Sequence, residues 1–244
     1  SAHDYITRDL ERQEMQGVFL ASFDMSKAID RVTHDKAIQV LKQCSFPQQF
    51  INWCEDYFSG RSQRVQVLNC ISLPRAVTSG VPQGSILSPY IFNAFVASLP
   101  TFKETSVMVK YADDILIIIP YSSLNEGEVG LRGEIENVER WCGRFNMKLN
   151  RDKTQIMAVR KRLSDSFPPR LLNIPLQSEM MYLGVIFDEK LEWRSQVLSV
   201  AKKAAQRIYP MKQMKRMRSI GKRELIKVYN TFIRSILDKN DATE

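Results

Sequence analysis

Two adjacent aspartates, Asp113 and Asp114, stand between the strand-like runs 106–111 and 115–119, which are rich in Val and Ile. Like charges placed side by side among residues suited to burial cost free energy unless something positive sits between them. A divalent cation resolves that conflict. Mg2+ is a hard ion that takes oxygen ligands, typically one or two carboxylates completed by phosphates and water. A third carboxylate, Asp24, ends the apolar run 18–23 and is the best candidate to complete the set. Two ions roughly 3.5 to 4 Å apart would lower the pKa of an attacking hydroxyl and stabilise a leaving pyrophosphate, the chemistry of in-line nucleotidyl transfer. Each aspartate alone also has a plainer reading, because Asp is common in turns and at strand ends.

The elements that must hold these carboxylates follow from periodicity. Residues 3–15 carry apolar side chains at helical spacing and stop at Gly17; the strand 18–23 follows and delivers Asp24. Residues 34–44 and 48–58 read as two helices separated by Pro47, residues 64–68 as an extended ribbon with Val65 and Val67 on one face, and residues 85–99 as an apolar helix. The runs 106–111 and 115–119 form a hairpin with the carboxylates at its tip. Residues 131–145 are amphipathic, with Ile135, Val138, Trp141 and Phe145 at helical spacing, and short strands are expected at 147–149 and 155–159. This order predicts an α+β fold with a central antiparallel sheet backed by helices. After a loop at 164–169, residues 180–187 read as a strand and 191–238 as two helices joined near 219–221. A soft boundary near 188–190 divides the chain into 1–189 and 190–244.

With 244 residues, 44% hydrophobic and 25% charged, the chain can bury a sizeable core and reads as globular. No apolar run approaches the roughly 18 to 20 residues of a membrane span. The chain starts with Ser and shows no signal-peptide pattern. Cys44, Cys54, Cys70 and Cys142 lie far apart without a CxxC pair, which argues against a zinc site; Cys44 and Cys54 read as reduced core thiols. An intracellular setting, nucleus or cytoplasm, is therefore expected. The net charge of +8 is concentrated: Lys202, Lys203, Arg207, Lys212, Lys215, Arg216, Arg218, Lys222 and Arg223 fall within 201–223 without one acidic residue. Such a cluster fits a polyanion, since each cation that neutralises a phosphate releases counterions. A solvated helix face would have the same composition.

The motifs also resemble a known family. Lys110-Tyr-Ala-Asp-Asp-Ile-Leu-Ile is similar to motif C of reverse transcriptases, and Phe23-Asp-Met-Ser-Lys-Ala-Ile-Asp-Arg-Val to their motif A. Ser79-Gly-Val-Pro-Gln-Gly-Ser resembles motif B, Leu149-Asn-Arg-Asp-Lys-Thr motif D, and Tyr182-Leu-Gly-Val-Ile-Phe-Asp the primer-grip motif E, all in the family's order. The segment after motif A, and Trp193 before the basic stretch, are closest in flavour to non-LTR (LINE-type) retrotransposon enzymes. The resemblance implies a polymerase palm followed by a helical partial thumb, acting as an RNA-directed DNA polymerase on an RNA or DNA template-primer and deoxynucleoside triphosphates. It implies two Mg2+ ions, or Mn2+, on Asp24, Asp113 and Asp114, with Lys153 as the acid that protonates pyrophosphate. Phe23, Met25, Ile29, Gln83 and Gly84 would line the nucleotide, Tyr182, Leu183 and Gly184 would hold the primer end, and Lys202, Lys203, Arg207, Lys212, Lys215 and Arg216 would track the backbone.

Two departures matter. The family usually has an aromatic residue under the sugar where this chain has Ile29, so weakened selection against a 2′-hydroxyl is expected. Motif A also begins near the start of the chain, so the segments that clamp the triphosphate in the family, further thumb and any endonuclease domain are expected to lie outside it. The rival reading is a polymerase-derived module that binds RNA or a protein without catalysis; an RNA-dependent RNA polymerase is a weaker third, since motifs D and E have the reverse-transcriptase form.

Overall fold

The amphipathic start of the chain forms α1 (Ala2–Glu11), and a turn carries it into β1 (Gly17–Asp24), the strand expected to deliver the first aspartate. The structure is a computed structural model that describes residues 2–25, 28–161, 167–215 and 220–241. One helical turn, α2 (Ala28–Arg31), precedes α3 (His34–Gln43) and α4 (Gln48–Phe58), the latter opening directly behind Pro47. The single ribbon expected at 64–68 is instead two: β2 (Ser62–Gln63) pairs with β5 (Arg75–Ala76), and β3 (Gln66–Val67) with β4 (Cys70–Ile71). Val65 and Val67 are exposed there, because ladders of two pairs present no sheet face to a second layer.

α5 (Ser88–Ala97) has Pro89 in its first turn, where the missing N–H has no helical partner to lose. The hairpin β6 (Val107–Tyr111) and β7 (Asp114–Tyr121) follows, then α6 (Leu124–Arg144), a 3-10 turn at Arg151–Lys153 and β8 (Gln155–Arg160). Two hairpins come next, β9 (Arg170–Leu171) with β10 (Ile174–Gln177) and β11 (Glu179–Tyr182) with β12 (Val185–Asp188). The single strand expected at 180–187 is thus folded in half: Leu183 and Gly184 have φ of 50° and 82°, the left-handed pair that a two-residue hairpin turn requires. The chain ends in α7 (Arg194–Lys215), α8 (Lys222–Val228), a π-helical turn at Tyr229–Arg234 and α9 (Ser235–Asp241).

The main sheet runs β6-β7-β1-β8-β10-β9. It is antiparallel except that β10 returns to β8 in parallel, because the chain reverses once into β9 and again into β10. Both faces of its central strands are covered, which explains their nearly unbroken apolar character. Phe19, Ala21, Phe23, Ile115, Ile117 and Ile119 face a core shared with α3, α4, α5 and α6. Val18, Leu20, Leu116, Ile118, Met157 and Val159 face a second core closed by Ile6 of α1 and by Met180, Tyr182 and Phe187 of the β11–β12 hairpin. Cys54 is buried in the first core as expected, whereas Cys44 is exposed at the C-terminal end of α3.

α6 begins at Leu124 rather than 131 because glycines hide its first turns from a periodicity reading. Gly127 is there for close approach: a Cβ would lie 2.6 Å from the Phe19 ring and 3.0 Å from Tyr121. The helix start is well capped. Ser123 Oγ accepts from Glu126 N at 3.3 Å, and the Glu126 carboxylate accepts from Ser122 N at 3.1 Å and pairs with Lys103. The Lys103 and Ser122 bonds hold the Glu126 carboxyl down at about 2, below its ordinary 4.5. A depressed carboxylate contributes stability above its ordinary value and loses it as pH falls towards the folded value. Thermal melts between pH 5 and pH 2, on the order of that window, should therefore show a smaller acid-induced loss in Glu126→Gln than in the parent chain.

Candidate active site

Strand alternation decides where the carboxylates face. Asp24 continues the Val18–Leu20 series of β1, and Asp114 continues the Leu116–Ile118 series of β7, so both lie on the second face of the sheet, where its apolar cover ends. They are direct partners in the β1–β7 register. Opposed Cα atoms in an antiparallel pair are about 4.5 to 5.5 Å apart, close enough for the two charges to interact. Asp113 is next to them, in the two-residue turn between Tyr111 and Asp114. Ala112 in that turn has φ of 51°, a conformation costing a non-glycine residue on the order of 1 kcal/mol or more. Partial burial raises the Asp114 carboxyl above the ordinary range, and the charges of Asp113 and Asp24 push it the same way.

Lys153 approaches from the other side of β1. Its ammonium lies 3.4 Å from Asp24 Oδ2, and Asn150 N donates to Asp24 O at 2.9 Å, so the 3-10 turn is docked on the strand end. Among the described residues no three His, Cys, Asp or Glu side chains form a ready-made metal cage. The donor set nevertheless fits Mg2+, which needs only one or two carboxylates and takes its remaining oxygens from phosphates and water.

An open cleft of about 890 Å³ adjoins the hairpin tip. Ile29, Gln83 and Gly84 all line it, together with Phe92, Lys110, Tyr111 and Ala112. The turn carrying Gln83 and Gly84 is fixed to α2 at several points. Gly80 N donates to Val32 O at 2.8 Å, Val81 N to Ile29 O at 3.1 Å, Gln83 Nε2 to Asp30 Oδ1 at 2.9 Å, and buried Ser88 donates to Pro82 O at 2.5 Å. His34 Nε2 lies 3.1 Å from Gly80 O and so carries the proton. Gly84 has φ of 84° with open space where a Cβ would project, so its backbone conformation calls for glycine. Phe23 and Met25 differ from the cleft residues: each is 1% exposed and packs in the first core, leaving only backbone near the site.

Residues 2–187 match the reverse transcriptase (RNA-dependent DNA polymerase) family. The chain belongs to that family. Reverse transcriptases generally depend on a divalent metal. The chain is 30% identical over 213 residues to the probable RNA-directed DNA polymerase from transposon BS of Drosophila melanogaster, and 30% identical over 213 residues to that from mobile element jockey of Drosophila funebris. In both cases the match covers 83% of this chain and 23% of the relative, so the chain spans about a quarter of their length. These relatives are non-LTR retrotransposon proteins. Telomerase from Candida tropicalis shares the fold. In complex with a TWJ fragment of telomeric RNA it aligns with a TM-score of 0.55 at 10% identity, over 99% of this chain and 41% of its own. The apo enzyme truncated from its C-terminal domain gives 0.54 at 15%, over 78% and 38%.

In this reverse transcriptase chain the motif E residues divide by depth. Tyr182 is 4% exposed, donates to Val109 O at 3.2 Å, and has its phenol pushed up to about 12 by burial and by the Asp114 charge. Leu183 and Gly184 form the hairpin tip. Asp188 fixes the other end, accepting from the backbone N–H groups of Lys190, Glu192 and Trp193 at 3.0, 3.0 and 2.8 Å. Gln196 Oε1 accepts from Ile186 N at 2.9 Å and ties the hairpin to α7. Lys202, Lys203, Arg207, Lys212 and Lys215 all lie exposed on α7, while Arg216 lies outside the described residues.

Arg207 differs from the other basic residues. Its guanidinium donates to Phe232 O at 2.7 Å in the π-helical turn, where the irregular ladder leaves carbonyls available. Arg207→Gln is expected to lower the melting temperature through loss of a bond worth about 1 kcal/mol. It should leave the salt dependence of RNA binding nearly unchanged, whereas Lys202→Gln should reduce that slope by about one. Filter binding across a salt series together with thermal melts checks both.

Proposed function

We propose that this chain is the catalytic core of an RNA-directed DNA polymerase encoded by a non-LTR retrotransposon, with residues 1–189 as its palm and 190–244 as basic thumb helices. The observation that carries the reading is the register of β1 and β7, which sets Asp24 against Asp114, with Asp113 in the turn directly after Tyr111 and Ala112, two residues that line a cleft. Asp24, Asp113 and Asp114 would hold two Mg2+ ions. Bound there, such ions lower the pKa of a primer hydroxyl and neutralise charge on the leaving pyrophosphate.

The chain's own residues supply position and proton. Ile29, Gln83 and Gly84 form one wall of the cleft for a deoxynucleoside triphosphate. The Leu183–Gly184 tip approaches from the second face of the sheet, where a primer end would lie beside Asp114. Lys153, whose ammonium lies 3.4 Å from Asp24 Oδ2, is placed at the carboxylate that would hold a metal ion and there would donate a proton to the departing phosphate. The exposed lysines of α7 supply sequence-independent contacts to a template-primer backbone.

The test is primer extension on RNA and DNA templates with Mg2+ or Mn2+, using this chain, a longer chain of the parent protein, and an Asp113→Ala control of each. Metal-dependent extension lost in the control supports the reading. No extension by either chain, together with salt-sensitive RNA binding, would replace it with the non-catalytic binding module.

A further inference from the structure

Lys110 immediately precedes Tyr111, the residue that pairs with Asp114 across the hairpin. Its ammonium donates to Ala97 O, in the last residue of α5, at 3.4 Å and to Leu99 O, two residues beyond the helix, at 2.5 Å. The last carbonyls of a helix lack intrahelical donors and carry the negative end of its dipole, so a cation is stabilised there. Burial lowers the Lys110 ammonium below the usual lysine range, and the two carbonyls partly replace the water it has lost. The opposite end of α5 follows the Gln83–Gly84 turn, and both that turn and Lys110 line the cleft. One lysine therefore joins the hairpin bearing Asp113 and Asp114 to the helix that leads from the other wall of the site.

The loop that presents these carbonyls is held in turn by one face of α6. Glu134 is 0% exposed and accepts from Phe102 N at 2.9 Å and Lys103 N at 3.1 Å. Asn137 Nδ2 donates to Pro100 O at 2.6 Å, and Trp141 Nε1 donates to Ser98 Oγ at 3.0 Å. A buried carboxylate spending both oxygens on backbone N–H groups fixes a loop far more firmly than apolar contact does. None of these three side chains lines the cleft.

We propose that Lys110 is a positioning residue of the polymerase site: by capping α5 it fixes the β6–β7 hairpin, and with it Asp113 and Asp114, relative to the Gln83–Gly84 turn, and Glu134 acts through the same loop. The inference rests on the polymerase reading. A displacement of 1 Å at a reacting centre can cost about a hundredfold in rate, so even a loosened tether should be visible.

Lys110→Met, which keeps chain length but removes the donors, is compared with Lys110→Arg, Glu134→Gln and the unaltered chain. Steady-state primer extension, Mn2+ titration followed by electron paramagnetic resonance, and circular dichroism melts are the readouts. Lys110→Met should lower kcat by about tenfold or more with the nucleotide KM within about threefold, and weaken Mn2+ binding by about threefold. Glu134→Gln should show the same kcat-selective loss, and Lys110→Arg should recover most of it. A raised KM at unchanged kcat in Lys110→Met would make Lys110 a substrate contact and overturn the proposal, as would unchanged kcat and Mn2+ affinity. Should Lys110→Met not fold, Glu134→Gln decides by the same two outcomes. Absence of extension by both the unaltered chain and the longer parent chain counts against the polymerase reading, and the Mn2+ titration then decides the positioning role alone, equal affinities overturning it.

Discussion

Asp114→Asn should lower the rate of primer extension by about three orders of magnitude and, in the absence of metal, raise the melting temperature of the chain. The first effect follows from charge. Two-metal sites supply several kcal/mol of stabilisation to the transferring phosphoryl group, and each 1.36 kcal/mol is about tenfold in rate. The second follows from the direction of the Asp114 shift. Its folded-state carboxyl lies above the ordinary 3.8, raised by burial and by Asp113 and Asp24. A group raised on folding contributes stability that is fully present below its ordinary value and is lost as pH rises through the folded value. At neutral pH the ionised Asp114 therefore opposes folding, and Asn removes that opposition while keeping the side chain's shape. Mg2+ should reverse the order: held as proposed by the converging carboxylates, it should raise the melting temperature of the parent chain more than that of the variant. Melts of both proteins with and without Mg2+ check this; a variant less stable than the parent in chelator would refute the electrostatic account.

The same opposition between stability and chemistry explains which parts of the fold were legible in the sequence. The strand ending at Asp24 and the hairpin carrying Asp113 and Asp114 are visible because a covered sheet demands continuous apolar runs, and carboxylates at their ends break the pattern abruptly. α4 is equally clear, since Pro47 and Gly60 bracket an apolar period. The β11–β12 hairpin is not: Tyr182 and Val185 suit one strand as well as two, and only the paired left-handed conformations of Leu183 and Gly184 show the reversal. Parallel pairing of β10 depends on contacts made after the sheet assembles, for which local periodicity has no signal. At the site, types and spacing marked the three aspartates, whereas Phe23 and Met25 were drawn in by adjacency in sequence although alternation turns their side chains away. Glu134 carries no signal, because a charged residue on an amphipathic helix reads as solvated until a loop distant in sequence is found covering it, and Lys110 stands in the motif C run with nothing to mark its bonds to the end of α5.

Ile29→Phe should increase discrimination against ribonucleotides by about ten- to a hundredfold, the range available when an apolar wall must reject a single added hydroxyl. The placement of Ile29 makes this a local change. Its side chain lines the cleft beside Gln83 and Gly84, while its carbonyl accepts from Val81 N at 3.1 Å and its neighbour Asp30 accepts from Gln83 at 2.9 Å. The backbone is thus pinned from both sides, and a larger side chain has the open cleft to extend into. A β-branched aliphatic leaves a gap beside a ribose that a phenyl ring would fill, so a 2′-hydroxyl meets less repulsion in the parent chain. The variant should raise KM for ribonucleotides while leaving kcat/KM for deoxyribonucleotides within about threefold, because the hydroxyl is the only group that distinguishes the two in contact with this wall. Single-nucleotide incorporation with matched ribo- and deoxyribonucleotides measures the ratio directly. Equal ratios for Ile29 and Phe would mean that the sugar does not rest against this position, and would move the selecting contact to Tyr111 or Ala112, which also line the cleft.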